Sequence, residues 1–381
     1  MKASMKNGNK KISSVGATRQ LNLKRVVSQM RRLKDFSRID LAKKLKISSP
    51  TMTKLFAQLE QQDLISLSPK TDKSFGRPKI LYQLSPTLQI ATIVVDVETT
   101  QVAFSSLGCE RDTEVSISFP TQGPANDFFT TLTSKFRRLQ DTYECSIQLV
   151  GICIPGLVDT DSGTSMLNPN IPWLESIQIA EEMSKRVKVP TFIMHEEKAL
   201  CRAQFQSLDD SSSYITLDFS SGVGMGVVEN GNYLKGRSGF AGEIGHVVLR
   251  PDGKRCGCGN RGCLETIASD RVFKQDLNLT MTEALLELRK GTKRSLSVAE
   301  HVMKAQASGM AMVITMFNPE VLFIHSRLAN VYPNYLKRIQ EETQKQTLSL
   351  SYNDCSIQVA KEGKVGGAIY LTIDQLIEQS I

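Results

Sequence analysis

Residues 242–265 read GEIGHVVLRPDGKRCGCGNRGCLE, and they carry the strongest local pattern in the chain. Cys256, Cys258 and Cys263 fall within eight residues, and His246 lies ten residues before the first of them. Three thiolates and one imidazole form the closed tetrahedral ligand set that zinc prefers in structural sites. Because four protein ligands leave no open coordination position, we expect a structural Zn²⁺ ion that fixes this loop. The alternative is a loop with three free thiols.

Two glutamates flank this loop, Glu243 before it and Glu265 after it. Carboxylates that are held rigidly accept hydrogen bonds from neighbouring hydroxyl groups. The pattern therefore predicts a pocket for a polyhydroxylated ligand, a sugar, which the metal loop organises. The alternative is a solvated pair of surface charges.

From about residue 88 onward, buried-strand patterns alternate with helical patterns. This alternation predicts an α/β domain with mixed sheets. Glycine-rich turns are predicted at 220–226 and 364–369. The predicted strands are IATIVVDV (90–97), QLVGICIPG (148–156), VPTFIMH (189–195), YITLDFSS (214–221) and VLFIHS (321–326), and the predicted helices are FFTTLTSKFRRLQDTY (128–143) and SIQIAEEMSKRV (176–187).

The net charge of +8 is unevenly distributed along the chain. Residues 1–90 hold 19 Lys and Arg against 5 Asp and Glu, a net of +14, whereas the remainder holds 28 against 34, a net of −6. One interpretation is a solvated basic tail without a binding partner. A basic module that binds polyanions fits better, because many of these charges lie within patterned helices.

The basic region has the pattern of a helix-turn-helix. Apolar spacing predicts a first helix over 18–34. Ser37 and Asp40 resemble a capping box at the start of a second helix. A third helix is expected to have Ser49 as its N-cap and Pro50 at its first helical position.

Two short strand patterns follow the third helix, at 64–69 and 80–86, and a basic hairpin tip separates them. We therefore assign 18–84 to a mostly α-helical winged helix-turn-helix, and 1–17 to a flexible basic arm. The third helix is expected to enter the major groove of DNA and the wing the minor groove. The alternative is a small helical bundle for protein contacts. The expected DNA contacts are Arg38, Ser48, Ser49, Thr51, Thr53 and Lys54 in the helices, and Arg77 and Lys79 in the wing.

The sequence predicts a cytoplasmic protein without a membrane span. It has no run of about 18 apolar residues, and its basic N-terminus lacks the apolar segment of a signal peptide. Five of the eight cysteines are scattered singly, which suits a reducing compartment. A homodimer is expected because one helix-turn-helix reads only one operator half-site, and a tetramer is the alternative.

Four motifs resemble the ROK family, which is named for repressors, open reading frames and sugar kinases. The resemblance extends over essentially the whole chain and is carried by GICIPGLVDTDSG (151–163), NPNIPW (168–173), GRSGFAGEIGH (236–246) and CGCGNRGCLE (256–265).

The resemblance implies an actin-like or ribonuclease-H-like α/β domain over 85–381, with a sugar bound between two lobes. Lobe one would comprise about 85–195 and the C-terminal helix, and lobe two about 196–362. By matching positions, the resemblance also implies sugar contacts from Asn170, Glu243, His246 and Glu265.

Departures from the family's kinase motifs favour a regulator over an enzyme. Kinases carry an Asp-x-Gly-Gly-Thr phosphate loop where this chain has DVETT (96–100), whose glutamate would repel phosphates. Kinases also carry an Asn-Asp pair that supplies the catalytic base, and the matching pair here is His195-Glu196. Glu196 is thus expected to meet the sugar without catalysing its phosphorylation, because its side chain is one methylene longer. A Gly-Gly turn of the kinases is replaced by Ser326-Arg327.

We therefore expect a regulator without enzymatic activity, a repressor of genes for carbohydrate uptake or catabolism. A sugar or sugar phosphate would release it from double-stranded operator DNA by favouring one arrangement of the lobes. Two alternatives stay open: an ATP-dependent sugar kinase with an appended DNA-binding module, and a regulator controlled by a protein partner.

Overall fold

A computed structural model describes most of the chain, and the described residues form two compact units. None of the helices within the described ranges is long and apolar enough to cross a membrane. The predicted arm at 1–17 lies outside those ranges. Of the described residues, the first unit comprises those that fall within 1–88, 106–110 and 380–381, and the second those that fall within 89–105 and 111–379. The described residues are 22–23, 25–27, 29–30, 32–70, 79–108, 115–144, 146–205, 208 and 212–380.

The first unit combines three helical segments with a three-stranded antiparallel sheet. Its elements are α1 (the described residues between 22 and 32), β1 (Phe36–Ser37), α2 (Arg38–Leu45), α3 (Ser49–Gln61), β2 (Ile65–Leu67) and β3 (Leu81–Leu84). The strand order is β1–β3–β2. The hairpin of β2 and β3 matches the two predicted strands, whereas β1 was not predicted because two residues show no alternation.

Apolar side chains on the helices form the core of this unit. On α3, Met52, Leu55, Phe56 and Leu59 are buried, as their helical spacing predicts. The ring of Phe56 packs edge-on against Phe36 and Tyr82, which ties α3 to the sheet; the centroid distances are 6.2 Å and 5.1 Å, respectively.

The predicted helix starts are correct for α2 and wrong by one residue for α3. Ser37 caps α2, and its hydroxyl accepts the Asp40 N–H at 3.0 Å. Ser48 rather than Ser49 caps α3, because Ser48 has an extended backbone and its hydroxyl accepts the Thr51 N–H at 3.4 Å. The proline consequently occupies the second helical position.

The second unit contains two five-stranded mixed sheets, one in each lobe. Lobe one has the order β10–β7–β4–β5–β6, and lobe two has β13–β12–β11–β14–β15. When the strands are numbered in chain order within each lobe, both sheets have the order 3-2-1-4-5, read from β6 in lobe one and from β13 in lobe two. The two-lobed α/β prediction is therefore confirmed. The strands are β4 (Gln89–Val95), β5 (Thr99–Ser106), β6 (Val115–Pro120), β7 (Ile147–Ile154), β10 (Thr191–His195), β11 (Tyr214–Phe219), β12 (Val223–Glu229), β13 (Asn232–Tyr233), β14 (Val321–Ser326) and β15 (Ser356–Val359), beside a small hairpin of β8 (Leu157–Asp159) and β9 (Thr164–Leu167).

Helices cover these sheets and complete two apolar cores. Lobe one is centred on Phe104 and Phe136, whose rings meet edge-on at 5.1 Å, and lobe two on Phe219 and Phe273. The helices are α4 (Ala125–Tyr143), α5 (Ile179–Val187), α6 (Glu196–Gln204), α7 (Glu265–Ala268), α8 (Arg271–Leu277), α9 (Met281–Lys290), α10 (Lys293–Phe317), α11 (Tyr335–Gln344), α12 (Ser349–Asp354) and α13 (Lys364–Gln379).

Both predicted glycine-rich turns need correction. Residues 364–369 begin α13, which packs on β4, β7 and α6. Their glycines serve close packing instead of a turn, because a Cβ on Gly367 would lie 1.7 Å from the Ala199 carbonyl oxygen. In 220–226 only the first three residues turn, and the others belong to β12.

Candidate functional site

The four predicted metal ligands converge in the structure. The ligand atoms of His246, Cys256, Cys258 and Cys263 all lie within 4.8 Å of one another. The Cys258 and Cys263 sulfurs are 3.7 Å apart, and the Cys256 sulfur is 3.6 Å from His246 Nδ1. A zinc tetrahedron with Zn–S of about 2.3 Å and Zn–N of about 2.0 Å has S···S edges of about 3.8 Å and S···N edges of about 3.5 Å. The cluster thus has the donors and the size for such an ion.

Backbone hydrogen bonds and glycines shape the metal loop. Arg255 and Arg261 form an antiparallel bridge, and the Cys256 N–H donates to the Asn260 carbonyl at 2.8 Å. Gly262 has φ +69°, and a Cβ there would lie 1.4 Å from a backbone carbonyl oxygen. This position accepts glycine alone, because any side chain would force the loop open.

Glu265 and Asn170 lie together on one side of the loop. A Cβ on Gly222 would be 3.0 Å from Glu265 Oε2 and 3.8 Å from Asn170 Nδ2, so these two side chains are near neighbours. The carboxylate of Glu265 is buried, and it accepts hydrogen bonds from the Val223 N–H and from Arg271, both at 3.3 Å. Asn170 Oδ1 is buried and has no hydrogen-bond partner among the described residues.

Glu243 also lies beside a metal ligand. Its Oε2 is 3.8 Å from His246 Nε2, the ring nitrogen that faces away from the cysteines. Burial raises the pKa of Glu243 to about 7, and the negative charges of Glu196 and Glu265 contribute to the rise. The structure thus brings these predicted sugar contacts to one acidic site.

Sequence reasoning missed a further carboxylate, Glu197, at the start of α6. Its Oε1 lies close to Gly224 of β12, where a Cβ would approach it to 2.2 Å. Burial and, to a smaller extent, the charge of Glu243 raise the pKa of Glu197 to about 7. The absence of side chains at the β12 glycines could have indicated that a neighbouring element packs there.

Glu196 reaches the site but is held by a buried lysine. Lys364 Nζ donates to Glu196 Oε2 at 2.5 Å and to Ser220 Oγ at 3.2 Å, and it lies 2.7 Å from Asp218 Oδ2. Burial raises the pKa of Glu196 to about 8, against the attraction of this ammonium. Lys364 was not predicted, since the start of α13 was interpreted as a glycine turn.

A second ion-pair cluster surrounds Asp96, at the position that matches the phosphate loop of the family's kinases. Asp96 follows β4, and its carboxylate accepts hydrogen bonds from Ser221 at 2.8 Å and from Arg327 at 3.1 Å. Arg327 also lies 3.4 Å from Asp270. The Asp96 N–H donates to the Thr99 carbonyl, so a tight turn joins β4 to β5. Protein groups thus occupy both oxygens of the Asp96 carboxylate.

His195 ends β10 and directly precedes Glu196. The side chain is 8% exposed, and its Nε2 has no hydrogen-bond partner among the described residues. Burial lowers the pKa of His195, whereas a hydrogen bond to the Val158 backbone opposes that shift. A Cβ on Gly239, in the segment that leads to Glu243, would be 3.9 Å from Nε2.

Most of the predicted DNA contacts that the structure describes lie at the start of α3, whereas Arg38 begins α2 and Lys79 lies just before β3. The side chains of Arg38, Ser48, Ser49, Thr53 and Lys54 are exposed and Thr51 is half-buried. Lys79 forms an ion pair with Asp40 of α2 at 2.9 Å, so the base of the wing is joined to that helix. Arg77 lies outside the described residues.

Comparisons with known proteins match this chain to members of one protein family. Residues 92–373 match the profile of the ROK family. The chain is 27% identical over 338 residues to the N-acetylglucosamine repressor of Escherichia coli O157:H7, which covers 83% of each protein. It is 30% identical over 197 residues to the glucokinase of Thermotoga maritima, covering 46% of this chain and 62% of the glucokinase.

A solved structure shares the fold. The crystal structure of a ROK family transcriptional regulator, a homologue of the E. coli MLC protein, superposes with a TM-score of 0.75 at 23% identity. The match covers 95% of this chain and 98% of that protein, so it includes both compact units.

Proposed function

This chain belongs to the ROK family, and from that premise we propose that it is a sugar-responsive, DNA-binding transcriptional regulator, a repressor that its ligand releases from operator DNA. The observation that carries the proposal is the 27% identity to an N-acetylglucosamine repressor over 83% of both proteins. Such a protein acts in the cytoplasm, where the chromosome lies.

The first unit is proposed as a winged helix-turn-helix that binds one operator half-site. Three helices, a three-stranded sheet and an exposed polar start of α3 support this role. Two copies are required for a palindromic operator, so we propose a homodimer. Lys54 is expected to contact a phosphate group. Lys54→Gln should weaken operator binding for every sequence alike and lower the slope of log K against log salt by about one.

The proposed ligand site is the acidic pocket beside the metal loop. His246, Cys256, Cys258 and Cys263 would hold a structural Zn²⁺ ion, which would fix the loop that carries Glu243 and Glu265 on its flanks. With Asn170 and Glu196, these carboxylates offer hydrogen-bond acceptors to sugar hydroxyls.

Loss of phosphoryl transfer is part of the proposal. Ser221 and Arg327 engage both oxygens of Asp96, so this carboxylate is not free to bind a metal–nucleotide complex, and Lys364 holds Oε2 of Glu196. General-base catalysis requires a carboxylate within hydrogen-bond reach of the proton that it removes. The identity to a glucokinase supports the rival proposal, a sugar kinase with a DNA-binding module.

Operator binding with and without sugars separates these proposals. Purified protein would be titrated with DNA from upstream of its own gene and of neighbouring sugar genes, at fixed salt. Specific binding that one sugar weakens supports the repressor. Specific binding that no sugar alters favours control by a protein partner. ATP-dependent phosphorylation of any sugar, without specific DNA binding, favours the kinase.

A further inference from the structure

Charged side chains join the two lobes of the second unit directly. Asp96 follows β4 of lobe one, and its carboxylate accepts hydrogen bonds from Ser221 at 2.8 Å and from Arg327 at 3.1 Å, both of lobe two. Lys364 of α13 makes a second connection, because α13 packs on β4 and β7 while its ammonium lies 2.7 Å from Asp218 of β11. Ion pairs therefore help to hold the lobes in the arrangement that the structure shows.

Arg327 lies between two carboxylates, one from each lobe. Its Nη2 donates to Asp96 Oδ2 at 3.1 Å, and its Nε lies 3.4 Å from Asp270 Oδ2. Asp270 lies between α7 and α8 of lobe two and is buried. Neither of its oxygens has a hydrogen-bond partner among the described residues. Since a buried carboxylate normally accepts hydrogen bonds, Asp270 has unused capacity for this guanidinium.

The guanidinium of Arg327 can therefore keep a partner whether or not the lobes stay together. If lobe one moves away, Asp96 leaves with it, whereas Arg327 and Asp270 remain together in lobe two. Separating a partly buried charge from its partner is costly when the charge is left unpaired. Here Asp270 supplies a second partner, which lowers that cost. A shift between two lobe arrangements requires an element of this kind, with two alternative sets of contacts.

The same contacts reach the backbone around the proposed ligand pocket. The Asp270 N–H donates to the Ser220 carbonyl at 2.8 Å, and α7, which begins at Glu265, ends two residues before Asp270. Glu265 in turn accepts the Val223 N–H at 3.3 Å. A rearrangement at Arg327 therefore acts on backbone that lies against Glu265.

We propose that Asp96, Ser221, Arg327 and Asp270 form an interlobe latch, in which Arg327 is shared by both carboxylates while the lobes are together and pairs with Asp270 alone when they separate. The chain's own cation thus bridges the lobes beside the turn that matches the phosphate loop of the family's kinases. Arg327 is a positioning residue, which acts through the lobes. Its effect on operator and sugar binding rests on the proposed function, whereas the latch itself does not.

The first test measures hydrogen exchange at the contact between the lobes. The Val97 N–H donates to Asp96 Oδ1 at 2.6 Å, so its exchange rate reports how firmly that carboxylate is held. Arg327→Gln removes the charge of the guanidinium and should speed exchange in the peptide 92–100 about tenfold. Burial raises the pKa of Asp270 to about 7, so the full chain is measured at pH 8, where this carboxylate is mostly ionised.

Two further variants separate the latch from a general loosening of the fold. Asp270→Asn takes away the second partner of Arg327, so it should favour the arrangement with the lobes together and slow the same exchange about threefold. Arg338→Gln is the matched control, because it breaks an exposed ion pair with Glu300 within lobe two, at 3.7 Å. It should leave exchange in 92–100 unchanged.

Operator and sugar affinities give a readout that a mere loss of stability would not produce. In the proposed function the operator and the sugar favour opposite arrangements of the lobes, so a shift between them changes the two affinities in opposite directions. Arg327→Gln should change each affinity about fivefold to fiftyfold, with opposite signs, and Asp270→Asn should reverse both signs. The probes are double-stranded DNA from upstream of the chain's own gene, D-glucose, N-acetyl-D-glucosamine and D-xylose.

Several outcomes would overturn the latch. Wild-type exchange in 92–100 for Arg327→Gln contradicts it directly. Weaker binding of both operator and sugar in Arg327→Gln, with a lower Tm, assigns this residue to stability alone. Asp270→Asn that acts in the same direction as Arg327→Gln contradicts the second position of the guanidinium. If exchange changes as expected but the wild type binds no operator, the latch stands and the proposed function fails.

Discussion

Lys364 should stabilise the second unit more strongly than any surface lysine, because its ammonium is shared by two buried carboxylates. Lys364→Met keeps most of the aliphatic side chain and removes the charge. Glu196 then loses a partner at 2.5 Å and Asp218 one at 2.7 Å. Removing one partner of a buried ion pair costs about 3–5 kcal/mol.

The expected loss lies near the lower end of that range. Asp218 retains His325 at 2.7 Å and Ser220 at 2.8 Å, and Glu196 can take up a proton. We therefore expect a decrease of about 3 kcal/mol in the free energy of unfolding at pH 7, or a fall in Tm of about 6–12 °C. Urea titration of the full chain, followed by circular dichroism, measures this loss.

The pH dependence gives a second readout. Burial raises the pKa of Glu196 from an ordinary 4.5 to about 8, so the folded state binds that proton more tightly than the unfolded state. Wild-type stability from this group therefore falls between about pH 4.5 and pH 8 and then levels off. Without the ammonium the pKa is higher still, so the variant should continue to lose up to about 1.4 kcal/mol per pH unit above pH 8.

Two further variants test whether the loss of stability in Lys364→Met comes from the buried ion pairs. Lys290→Met removes an exposed ion pair with Glu287 and should change stability by no more than about 0.5 kcal/mol. Adding Glu196→Gln to Lys364→Met should abolish the continued loss of stability above pH 8, because the amide does not ionise. If Lys364→Met unfolded like the wild type at pH 7 and pH 9, the reasoning would be refuted.

Three other predictions concern glycines and the metal loop. Gly262→Ala should abolish zinc retention, whereas Gly259→Ala, with φ +97° but nothing within 4 Å of its Cβ, should cost only about 1–2 kcal/mol; metal analysis and melting curves distinguish them. Gly367→Ala should lower Tm sharply, whereas Gly363→Ala, whose nearest neighbour is at 3.7 Å, should not, and equal melting curves would contradict the close packing of α6 and α13. Cys258→Ser should lose zinc during dialysis against a chelator and weaken sugar binding, and wild-type zinc content in this variant would count against the ligand set.

Continuous apolar runs in the sequence made many strands of the α/β region predictable. Every strand predicted for the α/β region appears within two residues of its predicted start, because a buried parallel strand is a continuous apolar run. The metal ligands were predictable from spacing, since a short loop brings them together. In contrast, β8 and β9 are three and four residues long and are fixed by mutual pairing, which local patterns do not reveal.

The charged clusters of the site depended on contacts between distant residues. Glu196 and Lys364 are separated by 168 positions, and Asp96 and Arg327 by 231. No local pattern brings such residues together. The lack of a partner for His195 Nε2 among the described residues is likewise visible only when its neighbours are placed.

The packing of α13 on lobe one has a consequence for the order of events during protein synthesis. The strands of lobe one are complete at His195, but the helix that covers β4 and β7 begins at Lys364. At about 5–20 residues per second, the ribosome needs roughly 10–30 seconds to add the intervening segment. During that interval Val94, Cys153 and Met194 lack their cover. The nascent first lobe therefore exposes this apolar face until α13 is made, and we expect a chain truncated before α13 to leave the same face open to aggregation.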